Sequence, residues 1–246
     1  MYKPKRYILG ILLTYFIERK LKIRFPITPE RRWKWNLISE VRFWDKFFNV
    51  LNRNDEYMMR LDPKLPLHDE IIELLPEQEE VNILDVGAGP LTFLGKVYDK
   101  SKIKIEAIDP LADEYDRILT KNKLIPPIRT TKLAAEKLRE KYSENSFDFV
   151  YASNSIDHCY SPENAIIEMI KVVKKNHYIL LKHIPYEATK QDWEGLHPWN
   201  FSEENGDFLI SSKNYKINFS IKYLNICTIK CEYDNDNNLN TVIKKL

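Results

Sequence analysis

The spacing of hydrophobic positions changes near residue 81. In residues 35–52 the apolar side chains recur at helical intervals, whereas short runs rich in β-branched residues follow after residue 81. Strands are predicted at 82–86, 103–108, 127–130, 147–152 and 177–183, and helices at 90–99, 111–120, 133–141 and 162–174. Since strands that alternate with helices at this period form right-handed crossovers, the pattern predicts an α/β fold with a mostly parallel sheet.

The two ends of the chain differ from this central pattern. From about residue 207 the sequence is rich in strand-forming residues, which predicts antiparallel strands at one edge of the sheet. The first third is interrupted by prolines, which indicates separate helices joined by turns. We therefore predict a helical extension over residues 1–78 that caps the substrate side, followed by the α/β domain over residues 79–246.

Charge is distributed unevenly along the chain. The formal net charge is only +2, which does not indicate a nucleic-acid partner, but residues 1–35 carry +8. The apolar run 7–17 within this segment has 11 residues, well short of the ~20 that span a bilayer. We expect it to dock on the domain as a helix; peripheral contact with anionic lipids through residues 1–35 is the alternative.

The cysteine content indicates the compartment. Three cysteines in 246 residues, without the spacing of a disulfide framework, favour a reducing environment. We therefore expect a cytoplasmic protein, with the inner face of the membrane as the alternative location. The sequence leaves the oligomeric state open.

Three of the six glycines lie close together, at positions 87, 89 and 95. They follow a predicted strand that ends near Asp85, and the carboxyl ends of parallel strands are where α/β folds bind ligands. Without a Cβ, Gly87 and Gly89 let the backbone turn sharply and approach a ligand. Gly95 falls in the predicted helix 90–99, where we expect it to permit close helix–strand packing.

The residues around this turn discriminate between nucleotide ligands. A dinucleotide fingerprint requires glycine where this chain has Thr92, which disfavours a nicotinamide-linked oxidoreductase. Asp85 would repel a pyrophosphate but attract a cation, and S-adenosylmethionine carries both a sulfonium and an amino group. Asp109 ends the second strand, 22 residues after Gly87, where an acid can accept hydrogen bonds from ribose hydroxyls.

Residues 81–184 resemble class I S-adenosylmethionine-dependent methyltransferases. LDVGAGP is similar to their first motif, Ile108-Asp109 to the second, the 133–138 segment to the loop beside adenine, and SFDFVYASN to the fourth motif. The resemblance implies a Rossmann-like fold that binds S-adenosylmethionine and releases S-adenosylhomocysteine. The implied cofactor contacts are Asp85, Gly87, Ala88, Gly89, Asp109, Pro110, Ala135, Glu136 and Asn154.

Candidate catalytic groups follow the fourth and fifth strands. Asp157-His158 is typical of a general base that works near neutral pH, and equally of residues that cap the following helix. His183 lies at the end of the fifth predicted strand, and Asn154 at the end of the fourth. We predict His183, His158 and Asn154 as the catalytic residues.

Four further segments resemble a small bacterial subgroup of these enzymes. They are SNSIDHC, the H-x-x-x-E after the fifth strand, EGLHPWNF and the E-x-x-F-W that begins at Glu40. The subgroup occurs with surface-polysaccharide pathways, including capsule phosphoramidate modification, which implies O-methylation of a small polar or phosphorylated intermediate. The implied substrate contacts are Glu40, Arg42, Trp44, Glu187, His197, Trp199 and Asn200.

Two alternatives concern the chemistry itself. His183, Glu187 and His197 have side chains that suit a divalent metal, but their spacing has no special metal meaning, and we predict no metal site. A protein with the methyltransferase fold but no catalysis, acting through its basic first 35 residues as a partner- or membrane-binding module, is the alternative function.

Overall fold

The computed structural model describes residue 20, residues 28–50 and residues 58–246. The apolar run 7–17 and most of the basic segment 1–35 lie outside these residues, so docking or membrane contact of that segment stays a prediction. Within the described residues, no helix is long and apolar enough to cross a membrane.

The described chain alternates strands and helices from residue 80 onward. The strands are β1 (Glu80–Val86), β2 (Lys102–Asp109), β3 (Thr130–Lys132), β4 (Phe147–Ser153), β5 (Val173–His183), β6 (Asn200–Glu204), β7 (Asp207–Ser212), β8 (Tyr215–Asn218), β9 (Cys227–Tyr233) and β10 (Leu239–Lys245). The helices are α1 (Pro29–Val50), α2 (Asp69–Ile72), α3 (Ala112–Lys121), α4 (Pro162–Val172), α5 (Glu187–Lys190) and α6 (Phe219–Lys222), with 3₁₀ turns at Ala135–Glu140 and Ile156–His158.

Seven strands form the main sheet in the order β3-β2-β1-β4-β5-β10-β9. β1 pairs in parallel with both β2 and β4, and β10 inserts antiparallel between β5 and β9. This arrangement confirms the predicted mostly parallel sheet with an antiparallel C-terminal edge. The tail also forms a separate antiparallel sheet, β6-β7-β8, which the sequence pattern did not predict.

The central strands are buried on both faces, as the apolar runs in their sequences require. Leu84 and Val150 face α4, whose Ile166 and Met169 pack in the same cluster, while Ile83 lies in the cluster on the opposite face. The chain order reverses between β1 and β4, and in open α/β sheets such a point leaves a crevice at the carboxyl ends of the strands.

The predicted helix 90–99 is wrong, because this segment is an irregular loop. The backbone N–H groups of Lys96 and Val97 donate to the carbonyl of Leu65, so they are not available for a helix. A Cβ on Gly95 would lie 1.9 Å from the carbonyl oxygen of Pro66. Gly95 therefore does serve close packing, but against residues 65–67, which are far away in sequence.

Other predicted boundaries move by a few residues. The helix expected at 35–52 is α1, which begins at Pro29, and the helix expected at 133–141 shortens to the 3₁₀ turn 135–140. The aromatic residues of α1 pack as predicted, since Trp44 and Phe48 lie in one cluster with Tyr115 and Leu119 of α3. This packing holds α1 over the carboxyl ends of the strands.

Candidate functional site

A cavity of about 250 Å³ lies at the carboxyl ends of β1, β2 and β4. Its walls come from the glycine turn after β1, the two 3₁₀ turns and α1. All nine predicted cofactor contacts line it: Asp85, Gly87, Ala88, Gly89, Asp109, Pro110, Ala135, Glu136 and Asn154. The structure thus gathers these residues from four separate segments on one surface.

The glycine turn has a backbone path that other residues adopt poorly. Gly87 and Gly89 have φ angles of +72° and +64°, in the left-handed region that favours glycine. A Cβ on Gly87 would also lie 2.4 Å from the Cβ of Ser155. The N–H groups of Gly87 and Ala88 donate to the carbonyl of Ile108, which fixes the turn against β2.

Asp85 is a nearly fully buried carboxylate at the end of β1. Its Oδ2 accepts a 2.5 Å hydrogen bond from the hydroxyl of Thr92, the residue that replaces the third glycine of a dinucleotide fingerprint. Burial raises the pKa of Asp85 to about 6, although Thr92, Arg60 and Lys96 counteract the effect. Arg60 lines the same cavity, so the cavity wall carries both a carboxylate and a guanidinium group.

Asp109 joins the turn after β1 to the start of α3. Its Oδ1 accepts from the N–H of Leu111 at 2.8 Å and its Oδ2 from the N–H of Gly89 at 3.3 Å. Burial raises the pKa of this carboxyl to about 7. Each carboxylate oxygen can accept a second hydrogen bond, so Asp109 retains acceptor capacity for a ligand diol.

Glu136 offers an unused acceptor to the cavity. Its Oε1 accepts from the N–H of Ser161 at 3.1 Å, while no donor in the described part of the chain reaches its buried Oε2. Burial raises the pKa of Glu136. An unpaired buried oxygen is costly, and an amino group of a ligand, such as that of adenine, would satisfy it.

Comparison with known proteins shows a family that the central part of the chain is similar to. Residues 84–181 match the family model described as a methyltransferase domain. No curated protein gives a significant match to the chain. The bare glycine turn, the acceptors on Asp109 and Glu136 and the charges of Asp85 and Arg60 fit S-adenosylmethionine, which is the cofactor of this domain.

Solved structures share the fold at low sequence identity. A candidate S-adenosyl-L-methionine-dependent methyltransferase from Methanococcus maripaludis superposes with a TM-score of 0.50 and 15% identity, over 83% of this chain and 91% of that chain. An S-adenosylmethionine-dependent methyltransferase from Aquifex aeolicus has a TM-score of 0.46 and 13% identity, over 82% of this chain and 98% of that one. The first of these similarities agrees with the Rossmann-like methyltransferase fold of the sheet.

The three predicted catalytic residues have different surroundings. Asn154 and His158 line the cavity. Asn154 has a φ of +45°, and its Oδ1 accepts from the N–H of Ile184, which joins the ends of β4 and β5. His183 is 2% exposed and does not line the cavity. Its Nε2 accepts from the N–H of Ile156, and burial lowers its pKa to about 4.

The predicted substrate contacts divide into two groups. Glu40 and Trp44 line the cavity, where the indole N–H of Trp44 donates to Glu40 at 2.7 Å. Arg42 lies on the exposed side of α1, away from the cavity. The remaining candidates do not line the cavity either: Glu187, His197, Trp199 and Asn200.

Two of these outer residues stabilise the loop that carries them. The amide of Asn200 bonds the N–H and the hydroxyl of Thr189, and the indole N–H of Trp199 donates to the carbonyl of Cys159. Trp199 and Asn200 therefore shape the wall behind the cavity.

Several cavity residues were not among the sequence predictions, and they include Arg60, Phe93, Tyr151 and Leu196. Tyr151 lies in the predicted fourth strand, so its place near the carboxyl edge was available from the pattern. Arg60 and Phe93 come from irregular segments, where the guanidinium of Arg60 lies 5.0 Å from the ring centroid of Phe93. Only the tertiary fold brings these two residues together.

Asp157 is the centre of a histidine cluster beside the cavity. It is 4% exposed, and its carboxylate oxygens lie 3.6 Å from His158 Nε2, 3.7 Å from His183 Nε2 and 3.8 Å from His197 Nδ1. Burial alone would raise the pKa of Asp157, but the three imidazoles lower it to about 2. His158 connects this cluster to the cavity wall, and its ring meets that of His197 edge to face at 4.5 Å.

Proposed function

We propose that the protein transfers the methyl group of S-adenosylmethionine to an oxygen atom of a small polar acceptor. One observation carries the proposal: a single cavity is lined by all the cofactor candidates and by His158, Glu40 and Trp44. In the proposed reaction the donor lies beside the cofactor candidates and the acceptor lies beside His158, at what we call the acceptor end, so the two meet in one cavity.

At the donor end, the residues of the chain orient the cofactor. S-adenosylmethionine, when bound, supplies a methyl group activated by the positive sulfonium. Asp109 would accept hydrogen bonds from the ribose, and Glu136 would accept one from the adenine amino group. Asp85 would attract the amino group of the methionine part, and Arg60 would attract its carboxylate. Holding the reacting groups in a fixed orientation is the main requirement of such a transfer.

The helix α1 forms a wall of this cavity over the strand ends. Trp33, Leu37 and Trp44 contribute apolar surface there, and Glu40 contributes a carboxylate. The side-chain amide of Asn36 donates to the carbonyl of Gly195, so α1 also contacts the loop after α5. A wall of this kind excludes water and favours a small molecule over a polymer as the acceptor.

The identity of the acceptor rests on the sequence resemblance. We propose a small polar or phosphorylated intermediate of bacterial capsule or surface-polysaccharide modification, with the capsule phosphoramidate pathway as the specific candidate. The segments that support it surround the acceptor end, since His158 and Leu196 come from SNSIDHC and EGLHPWNF.

Incubation of the full chain with methyl-labelled S-adenosylmethionine tests the function. A panel of nucleotide sugars, heptoses and phosphorylated amides is offered, and labelled products are detected by mass spectrometry. We expect a labelled methyl group on an oxygen of at least one product, and no labelled product with the Asp109→Ala variant. Tight cofactor binding by calorimetry without transfer to any acceptor would favour the non-catalytic alternative, whereas absence of cofactor binding would contradict the proposal.

A further inference from the structure

The geometry around Asp157 differs from that of an ordinary buried ion pair. Asp157 Oδ2 lies 3.6 Å from His158 Nε2 and 3.8 Å from His197 Nδ1. These separations are too long for hydrogen bonds, whose N···O distances are about 2.7–3.2 Å. In the described part of the chain, Asp157 Oδ1 and His197 Nδ1 are buried atoms without a hydrogen-bond partner.

Asp148 is a buried carboxylate of the same protein that does have hydrogen-bond donors. It is also fully buried, and its Oδ1 lies 3.7 Å from His177 Nε2. Asp148, however, accepts a 2.6 Å bond from Lys174 Nζ and a 3.0 Å bond from the N–H of Asn82. Asp157 has a similar histidine distance but lacks such donors. A buried carboxylate without donors is costly, which indicates that a cation completes the site.

We propose that Asp157, His158 and His197 bind a divalent transition-metal ion. One ligand atom from each residue can be chosen so that all lie within 4.8 Å of one another. Donors at about 2.0–2.2 Å from a tetrahedral ion are separated by roughly 3.4 Å, so the distances of 3.6 Å and 3.8 Å from Asp157 Oδ2 to the two imidazoles need to shorten by only a few tenths of an ångström. Two imidazoles and a carboxylate suit zinc, iron, cobalt or manganese and leave a position open.

The neighbouring residues hold these ligands in place. Asp157 and His158 lie in one 3₁₀ turn, in which the N–H of His158 donates to the carbonyl of Ser155. His183 Nε2 accepts from the N–H of Ile156 and lies 3.7 Å from Asp157 Oδ1. His183 is therefore a positioning residue of the ion site. Glu187, which the sequence suggested beside His183 and His197 as a ligand, lies outside the cluster.

The open position gives the ion a function in the proposed reaction. His158 belongs to both the cluster and the cavity wall, so an ion bound to it adjoins the acceptor end. A hydroxyl, phosphate or carboxylate oxygen of the acceptor would occupy the open position. A hydroxyl bound to a divalent ion loses its proton to solvent more readily, so no general base is required. This role rests on the proposed function, whereas binding of the ion does not.

Metal titration of the full chain tests the site directly. Protein stripped with a chelator is titrated with Co²⁺, followed by visible absorption, and with Zn²⁺, followed by calorimetry. We expect one equivalent to bind and the affinity to fall at least about 100-fold in both Asp157→Asn and His197→Gln. The matched control is His177→Gln, which removes a histidine at a similar distance from an aspartate, 3.7 Å, and should bind the ion as the wild type does.

The outcomes separate this proposal from the function. No stoichiometric binding, or equal affinities of the His197→Gln and His177→Gln variants, overturns the ion site. Cofactor calorimetry on each variant verifies that it folds, and His197→Gln, at a partly exposed loop position, serves where Asp157→Asn fails that check. If the wild type binds one equivalent of ion and the His197→Gln variant does not, the ion site is supported even when no acceptor is methylated.

Discussion

The hydroxyl of Thr92 donates a 2.5 Å hydrogen bond to the buried carboxylate of Asp85, across seven residues of chain. The same hydroxyl accepts from the N–H of Leu94 and so fixes the loop that replaces the expected helix. Thr92, whose side chain disfavours a dinucleotide ligand, thus holds in place Asp85, whose charge favours a cationic ligand.

Thr92→Val removes this bond without changing the shape of the side chain. We expect a loss of about 1–3 kcal/mol in the free energy of unfolding, because Asp85 is left without its donor. Affinity for S-adenosylmethionine at pH 7 should also fall, since the pKa of Asp85 rises further. Urea unfolding and calorimetry measure the two effects. Thr120→Val, at an exposed position in α3, is the control and should change neither quantity.

Asp109 makes stability depend on pH. Its pKa is raised from 3.8 to about 7 by burial, so between these values the folded state binds more protons than the unfolded state. Stability must therefore fall as pH rises from about 4 to 7, and Asp85 adds to the fall through its pKa of about 6. In Asp109→Asn the fall between pH 5 and pH 8 should be smaller by roughly 1–3 kcal/mol. Equal pH dependence of both proteins in urea unfolding would contradict this.

Glu136→Gln tests the unused acceptor. The amide can still accept from the N–H of Ser161, but it presents NH₂ where Oε2 now offers a lone pair. We expect about tenfold weaker binding of S-adenosylmethionine, which corresponds to one lost hydrogen bond. The affinity for adenosine should fall by the same factor, because the substitution lies at the adenosine end of the cofactor. A fall in the affinity for S-adenosylmethionine alone would show that Glu136 does not contact the adenine.

Gly87→Ala adds a methyl group against Ser155 in a backbone region that alanine disfavours. We expect about 2–4 kcal/mol of destabilisation, of which the conformational share is about 1 kcal/mol. Gly206→Ala isolates that share, since Gly206 has a φ of +88° and no described atom lies within 4 Å of its added Cβ. A Ser155→Gly background should rescue Gly87→Ala and leave Gly206→Ala unchanged, as measured by a double-mutant cycle.

The cofactor half of the site was predictable because each of its residues lies next to a strand end in sequence. The glycine turn follows β1, Asp109 ends β2 and Asn154 follows β4. The alternation of strands and helices in the sequence therefore predicts that they lie at the same edge of the sheet. Parallel pairing of β1 with β2 and β4 then brings the three ends to one edge.

The rest depends on contacts between distant segments. The segment 90–99 is not helical, since the N–H groups of Lys96 and Val97 donate to the carbonyl of Leu65, a contact that no local pattern reveals. His183 follows a strand as a catalytic residue would, but its side chain is buried under Phe201 of β6, a strand of the sheet that was not predicted. Arg60 lines the cavity from a segment without periodicity.

Ser155 has a consequence for selectivity. Its hydroxyl donates to the carbonyl of Val86, and its Cβ occupies the space that Gly87 leaves, so the two loops are locked together. Asp157 and His158 follow within three residues. The distance between the glycine turn and the proposed ion site is thus set by a short piece of backbone that is held at both ends. In the proposed methyl transfer, this fixed distance would select one hydroxyl among several on the acceptor.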